Sequence, residues 1–525
     1  MSSTWYGSVR RHLVVLGLSA ALQAGLGAVA ARVWFAEHHT LHANGRWIST
    51  KTTLDRGLLG AFAYLTERQA LAGGRLDLAA WHGFNEVIYK DEIDAPCSIE
   101  FDFSVGKGAY LVAILNRDAS GAGTGLRLSA SSRYPSAFLR FSADGAFVAK
   151  RRFTAPKLSD ATTHHALITV AGDELLLAVD GRALGSFAER MLARQRFGFR
   201  GGYEHALVDN VVVTLADGRR IIERFDAPPM ASRVVPIAAG LGAVAAPLLF
   251  LLLRGWRRDD DTALGFAFLL TDLTLLVLCG LFYAFVVIRA GWYPRLGEVD
   301  REAEAYFKKG DIDRVLAEIQ ERCAVDSVPA PFRILFVGSS QTWGAGARRD
   351  ADTFVAVLED LLRRSHQGGP PVECINGGVS SARAADLAPI LECQWLKLKP
   401  QVVVIDLSSN DRSNGASFVA AVRAMVEASL AAGACPVLVQ EPNAYGTVDK
   451  GLIERHLDLY HISQDYGVPL IDLHRYLLGV DDRGFVWWDK VHLTSFGQRL
   501  VAEKLRSELE RLGLVAASGP GGAAG

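Results

Sequence analysis

Cysteine is scarce: the 525-residue chain has six, and no two form a Cys-x-x-Cys pair. That excludes a disulfide-built scaffold and a paired-cysteine structural zinc site. Cys323, Cys374, Cys393 and Cys435 fall in the C-terminal part of the chain. If that part is exported, one disulfide could form among them, and the spacing does not choose which. Excess charge of either sign is also missing. The 56 basic and 57 acidic residues leave a formal net charge of −1, which gives no electrostatic footprint for nucleic acid. No G-x-S-x-G elbow closes a strand. No paired-glutamate pattern of a glycosidase stands out in the N-terminal half.

What the chain has in quantity is apolar residues, 50% of the total. Three runs reach the length that crosses a bilayer, about 20 residues at a rise of 1.5 Å each. They are 13–35, 234–253 and 263–288. The first reads as an uncleaved anchor, although Ala28-Val29-Ala30 resembles a signal-peptidase site and a cleaved signal is the other reading. Two crossings between 36–230 and 290–525 would return both large parts to one side. Arg10, Arg11, Arg254, Arg257 and Arg258 read as the cytoplasmic flanks. Arg32, Arg233, Arg289 and Arg295 oppose them. Both large domains are therefore expected on the outer, periplasmic side of the cytoplasmic membrane, with the lipid bilayer as a partner. Asp272 lies inside the third run and reads as a neutral or helix-paired carboxyl rather than a functional one.

Length suggests two to four folding units. Residues 45–228 alternate apolar and polar in short runs such as "CSIEFDFSV", separated by "ADG", "VDG" and "ADG". That pattern predicts an antiparallel β-sandwich. The late strands, "LLLAVDGRALGSF" and "RFGFRGGYEHALVDNVVV", resemble those of concanavalin-like jelly-roll modules. Such modules often bind glycans, and Trp81, Tyr110, Tyr134 and Tyr203 are candidate platforms; core packing is the plainer role for each. Residues 290–330 read as a linker holding a helix, and 516–525 as a disordered tail.

From 331 to 515 the pattern changes to alternating strand and helix. Strands are predicted at 333–337, 372–376, 401–407, 436–440 and 468–472, with helical runs between or after them. Parallel strands with helices on both faces follow, a three-layer, flavodoxin-like α/β domain. In such sheets ligands sit at the carboxyl ends of the strands. The segments there are "GSSQTWG", "NGGVSS", "SSND" and "WWDKVHLTSFG". A serine nucleophile needs a base in reach and an acid behind it. Asp489 and His492, three apart, can meet on one turn, leaving the second ring nitrogen for a serine proton. Asn410 and the backbone of 376–381 offer donors for an oxyanion. Taken singly, Ser340 could be a turn serine and His492 a surface residue.

These four blocks, in this order, resemble the SGNH/GDSL-type serine esterase superfamily over about 185 residues. Ser340 in Gly338-Ser339-Ser340 matches its nucleophile, and Asp489-Lys490-Val491-His492 matches its D-x-x-H. Three positions depart: Ser381 stands where the oxyanion glycine falls, Ser408-Ser409-Asn410-Asp411 carries serine for glycine, and the third adjoins the nucleophile. Ser339 replaces the aspartate beside the nucleophile. The resemblance implies an ester hydrolase with Ser340, Asp489 and His492 catalytic, Ser381 and Asn410 at the oxyanion, and neither metal nor other cofactor. The expected whole is a multidomain membrane protein: a membrane-anchored extracytoplasmic esterase acting on O-acyl esters, with acylated envelope glycans as candidate substrates. An O-acyltransferase of the same fold and a non-catalytic glycan-binding envelope protein are the alternatives. Trp343, Trp487 and Trp488 either wall a pocket or pack beneath the loops.

Overall fold

A computed structural model describes residues 47–49, 71–72, 75–78, 84–89, 91–158, 162–202, 206–225, 298–299, 317, 319, 331–365, 370–444, 449–489 and 491–516. Leu78–Ile222 and Val299–Gly525 belong to one compact unit.

The N-terminal part of this unit is all β, as the alternating pattern predicts. Its strands are β1 (Phe84–Tyr89), β2 (Pro96–Val105), β3 (Tyr110–Arg117), β4 (Gly123–Ser129), β5 (Ala137–Phe141) and β6 (Phe147–Arg152). They continue with β7 (His164–Ala171), β8 (Glu174–Val179), β9 (Arg182–Ala188), β10 (Arg194–Gly202) and β11 (Ala206–Leu215). One sheet contains the run β6-β5-β4-β3-β10-β1 and the other β9-β8-β7-β2-β11. All these neighbours pair antiparallel. The hairpin β8–β9 turns on Asp180 (φ 52°) and Gly181 (φ 74°). Two successive positive φ values are what a tight two-residue hairpin needs, and Asp-Gly supplies them cheaply. The inner faces meet through aromatic pairs: Phe101 to Phe199 at 5.2 Å and Phe138 to Phe187 at 4.9 Å. Tyr110 and Tyr134 are buried and pack edge to face at 5.3 Å, so both serve the core. Trp81 and Tyr203 lie outside the described residues.

The C-terminal part is a parallel sheet of β12 (Phe332–Gly338), β13 (Val372–Gly378), β14 (Val402–Asp406), β15 (Cys435–Gln440) and β16 (Leu470–Asp472). Their order is β13-β12-β14-β15-β16. The order reverses beside β12, which puts the topological switch, and the crevice that goes with it, at the end of β12. Helices α1 (Ser340–Trp343), α2 (Phe354–Ser365), α3 (Ala384–Cys393), α4 (Gly415–Ala431), α5 (Lys450–Tyr466), α6 (Leu473–Val480) and α7 (Ser495–Arg511) connect or follow the strands. Strand β12 shows why two layers form. Ile334 and Phe336 join the core with Phe354, Leu358, Leu500 and Leu505, while Leu335 and Val337 join that with Leu387, Val422 and Leu459. Alternate residues point to opposite faces, and both faces are covered. Truncating a fully buried phenylalanine such as Phe336 to alanine would cost about 3–5 kcal/mol. Helix starts are fixed by side chains: Asp449 accepts from Leu452 N–H, Asp472 from Arg475 N–H and Thr494 from Gly497 N–H.

The membrane reading needs correction. Among the described residues no helix is long and apolar enough to cross a membrane. The longest, α4, α5 and α7, have 17 residues each, about 25 Å at 1.5 Å per residue, short of a hydrocarbon core of about 30 Å. Their apolar residues are also engaged in the sheet core. The multidomain membrane fold with three transmembrane helices, and the membrane-anchored periplasmic location, are therefore not supported. The segments 13–35, 234–253 and 263–288, with Asp272, lie outside the described residues, as do almost all of the 290–330 linker and 517–525. Among the described residues Cys97, Cys374, Cys393 and Cys435 are free thiols, so no disulfide joins them.

Candidate active site

Strand β12 delivers Ser340 to the sheet's carboxyl edge. Gly338 ends the strand where there is no room for a side chain: a Cβ there would lie 1.9 Å from Thr342 Oγ1 and 2.6 Å from the Asp406 carbonyl. The chain turns at Ser339 into the single-turn α1, and the neighbours of Ser340 point down. Ser339 Oγ donates to Glu441 Oε1 at 2.8 Å. Gln341 Nε2 donates to Ser409 Oγ at 3.2 Å and the Pro442 carbonyl at 3.0 Å. Thr342 Oγ1 donates to Asp406 Oδ2 at 2.7 Å. Ser339, Gln341 and Thr342 are buried. Ser340 alone in this group faces the other way, and its Oγ lies 2.8 Å from His492 Nε2.

The segment before α7 supplies the partner. Trp487 and Leu493 form an isolated antiparallel bridge, and Trp488 N–H donates to the His492 carbonyl at 3.0 Å. Inside this closed turn Asp489 Oδ1 accepts from Val491 N–H at 2.8 Å and His492 N–H at 2.7 Å. Its Oδ2 lies 2.7 Å from His492 Nδ1. A carboxylate only accepts, so it fixes the imidazole proton on Nδ1 and leaves the Nε2 lone pair facing Ser340 Oγ. Asp489 is buried and His492 is partly exposed at the site. Trp488 stands beside the imidazole, with ring centroids 6.2 Å apart, whereas Trp487 is buried.

The structure thus brings Ser340, His492 and Asp489 together in one hydrogen-bonded line. Ser381 and Asn410 form a neighbouring pair of loops. Asn410 Nδ2 donates to the Ala382 carbonyl at 2.9 Å, next to Ser381. Ser381 is exposed with φ 66°, the left-handed conformation that a glycine adopts freely and other residues only at a cost of about 1–2 kcal/mol. Serine at 381 therefore keeps the backbone shape of a glycine position. The loop is seated by Val379 N–H on the Gly338 carbonyl at 3.0 Å. At Gly378, a Cβ would lie 2.1 Å from Trp343 N.

Sequence reasoning missed two carboxyls. Glu441, fully buried, accepts from Ser339, from Ser408 Oγ at 3.1 Å and from Ser409 N–H at 2.5 Å. Asp406 is buried beneath Thr342. Burial pushes both carboxyls above the usual range, and the charge of Glu441 pushes Asp406 further. The available signal was a lone acid closing each of the apolar runs "VVVID" and "CPVLVQE". Ser339, where the family pattern has aspartate, thus has a buried acid as its hydrogen-bond partner, supplied by the residue that follows β15.

Residues 336–500 match the model of the GDSL-like Lipase/Acylhydrolase family. This segment is a GDSL-like acylhydrolase domain. Its class is that of the SGNH ester hydrolases, and the serine–histidine–aspartate line lies within it. Among solved structures, the chain is similar to an acetyl xylan esterase at 22% identity, over 34% of this chain and 99% of that one, with a TM-score of 0.31. It is similar to an acetylxylan esterase of Geobacillus stearothermophilus at 18% identity, over 35% and 95%, with a TM-score of 0.31. A carbohydrate binding module of Bacillus subtilis is similar at 13% identity, over 31% and 92%, with a TM-score of 0.24. No curated protein matches the chain.

Proposed function

We propose that this GDSL-like domain hydrolyses carboxylic esters with Ser340 as nucleophile. The observation that carries this reading is the line Ser340 Oγ–His492 Nε2 at 2.8 Å and His492 Nδ1–Asp489 at 2.7 Å. His492 takes the hydroxyl proton as Ser340 attacks the ester carbonyl, then gives it to the departing alkoxide. Asp489 keeps the imidazole in the right tautomer and stabilises it once charged. The oxyanion is assigned to the backbone N–H groups of Ser340 and Ser381 and to the Asn410 amide, which has a second N–H beyond the one given to Ala382. Water then attacks the acyl-enzyme with His492 as base.

The finer reading is that the ester is an O-acyl group on a glycan. What supports it is the β-sandwich built onto the segment that leads to Asp489, a module type suited to holding a polymer near the reacting serine. The test uses the full chain and its Ser340→Ala form. p-Nitrophenyl acetate and an O-acetylated oligosaccharide are supplied as substrates, and acetate release is followed. Hydrolysis by the parent and background rates in Ser340→Ala are expected. Equal rates in the two would remove Ser340 from the role. Aryl ester cleavage without any action on the oligosaccharide would remove the glycan reading alone.

A further inference from the structure

The sandwich and the acylhydrolase domain share more than a chain. The segment 481–487, which runs into the Asp489–His492 turn, lies along the sandwich as if it were a further strip of it. Asp482 is held by Arg127 at 2.7 Å and Lys150 at 2.6 Å, and Asp481 by the Tyr134 hydroxyl at 2.6 Å. Gly484 bridges Ala146, and Phe485 N–H donates to the Gly145 carbonyl at 2.8 Å. The Phe485 ring sits between Phe141 and Phe147, at 5.2 and 5.0 Å. Buried apolar residues run without a break from Tyr110 and Phe141 in the sandwich through Phe485 to Phe496 and Leu500.

One sandwich residue reaches further along this segment. Arg200, on β10, is buried. Its guanidinium donates to the Trp487 carbonyl at 2.6 Å and lies 4.5 Å from the centroid of the Phe485 ring. It therefore grips both sides of Val486, and the carbonyl it holds is two residues from Asp489 and belongs to the residue that closes the catalytic turn with Leu493. The guanidinium is itself anchored. Glu86 Oε2 lies 3.4 Å from Arg200, and Glu86 Oε1 accepts from Arg117 at 2.6 Å. Burial opposes the charge on Glu86, but Arg117 and Arg200 outweigh it and hold its carboxyl down at about 2. The anion that orients Arg200 is thus present at any working pH.

We propose that Arg200 is a positioning residue for the Asp489–His492 turn, which makes the sandwich a working part of the ester-hydrolysing centre rather than an appended module. The inference rests on the proposed roles of Ser340, His492 and Asp489. A carbonyl held by a buried cation in a water-poor seam is a strong, directional contact. Loss of it frees the first residue of the turn, and displacement of a catalytic group by about 1 Å can cost about 100-fold in rate.

The experiment uses the full chain with Arg200→Met, Arg200→Lys, Asp482→Asn and Ser340→Ala, p-nitrophenyl acetate as substrate and a fluorophosphonate as a probe of Ser340 reactivity. Arg200→Met is expected to lower kcat and the phosphonylation rate about 10- to 100-fold, with KM for the small ester within about twofold. Arg200→Lys, which can still donate to the carbonyl, should recover part of the loss. Asp482→Asn weakens the same seam away from the turn, so it reads the cost of loosening the two parts. Its kcat is expected within about twofold of the parent, even where its melting temperature falls as far as that of Arg200→Met. An unchanged kcat in Arg200→Met, with Ser340→Ala inactive, would overturn the inference and leave the nucleophile standing. A matched kcat loss in Asp482→Asn would reduce Arg200 to general support and overturn it too. An active Ser340→Ala would instead bring down the underlying reading.

Discussion

Replacing Glu441 with alanine would strip the buried floor from beneath Ser339. Three donors lose their acceptor at once: Ser339 Oγ, Ser408 Oγ and Ser409 N–H. Glu441 is fully buried, so water cannot replace the carboxyl without opening the core. A buried donor left unpaired costs about 1–3 kcal/mol. Two of the three are hydroxyls that can turn toward other acceptors, so a total of about 3–5 kcal/mol is expected, or about 10 °C in Tm. Glu441→Gln keeps the shape and is the sharper variant. The folded-state pKa of Glu441 is raised, first by burial. A raised carboxyl contributes its stability fully below the unfolded pKa, near 4.3, and loses it as pH climbs through the folded value. The parent should therefore lose stability on the alkaline side, at most about 1.4 kcal/mol per pH unit for each proton released. Glutamine has no proton to lose there, so the curve of Glu441→Gln should be flatter over the same range. Asp406, raised by burial and by the charge of Glu441, should also become easier to ionise in that variant. The assay is chemical denaturation of the full chain at a series of pH values from about 5 to about 9. Parallel curves for parent and Glu441→Gln would refute the assignment of a raised buried carboxyl, and a loss under about 1 kcal/mol in Glu441→Ala would refute the hydrogen-bond argument.

Two further substitutions bear on the site itself. Asp489→Asn keeps an oxygen for the Val491 and His492 N–H groups but turns an amide NH₂ toward His492 Nδ1, forcing the wrong tautomer. kcat on an aryl acetate should fall about 10³-fold or more with the fold intact by circular dichroism, and a loss under tenfold would contradict the orienting role. Ser381→Gly removes a left-handed strain of about 1–2 kcal/mol and adds about 0.5–1 kcal/mol of chain entropy. A gain of up to about 1 kcal/mol in denaturation with kcat retained is expected, and a loss of stability would show that the Ser381 side chain holds the loop in a way its backbone does not require.

The parts of the site that were legible in the sequence are those whose geometry is local or sits at strand ends. The Asp489–His492 pair closes on one turn, so three-residue spacing was enough to join them. The α/β alternation put Ser340, Ser381 and Asn410 on loops at one edge of a sheet, which follows from parallel connection alone. What stayed hidden depends on packing between distant segments. Glu441 meets Ser339 across 102 positions and Arg200 meets Trp487 across 287, and no periodicity reports such encounters. For Tyr110 and Tyr134 the plainer role, core packing, is the one the structure shows, but the partner of the Tyr134 hydroxyl, Asp481, lies 347 positions away and leaves no trace in the strand pattern. The apolar runs 13–35, 234–253 and 263–288 lie outside the described residues, and among the described residues no helix is long and apolar enough to cross a membrane.

The account stands most directly on whether Ser340 is the atom that reacts. Treating the full chain with a fluorophosphonate and mapping the adduct by peptide mass spectrometry decides it. One adduct on Ser340, absent from Ser340→Ala and slowed in Asp489→Asn, is the predicted result. An adduct on a different serine, or full ester hydrolysis with Ser340 unmodified, would contradict it.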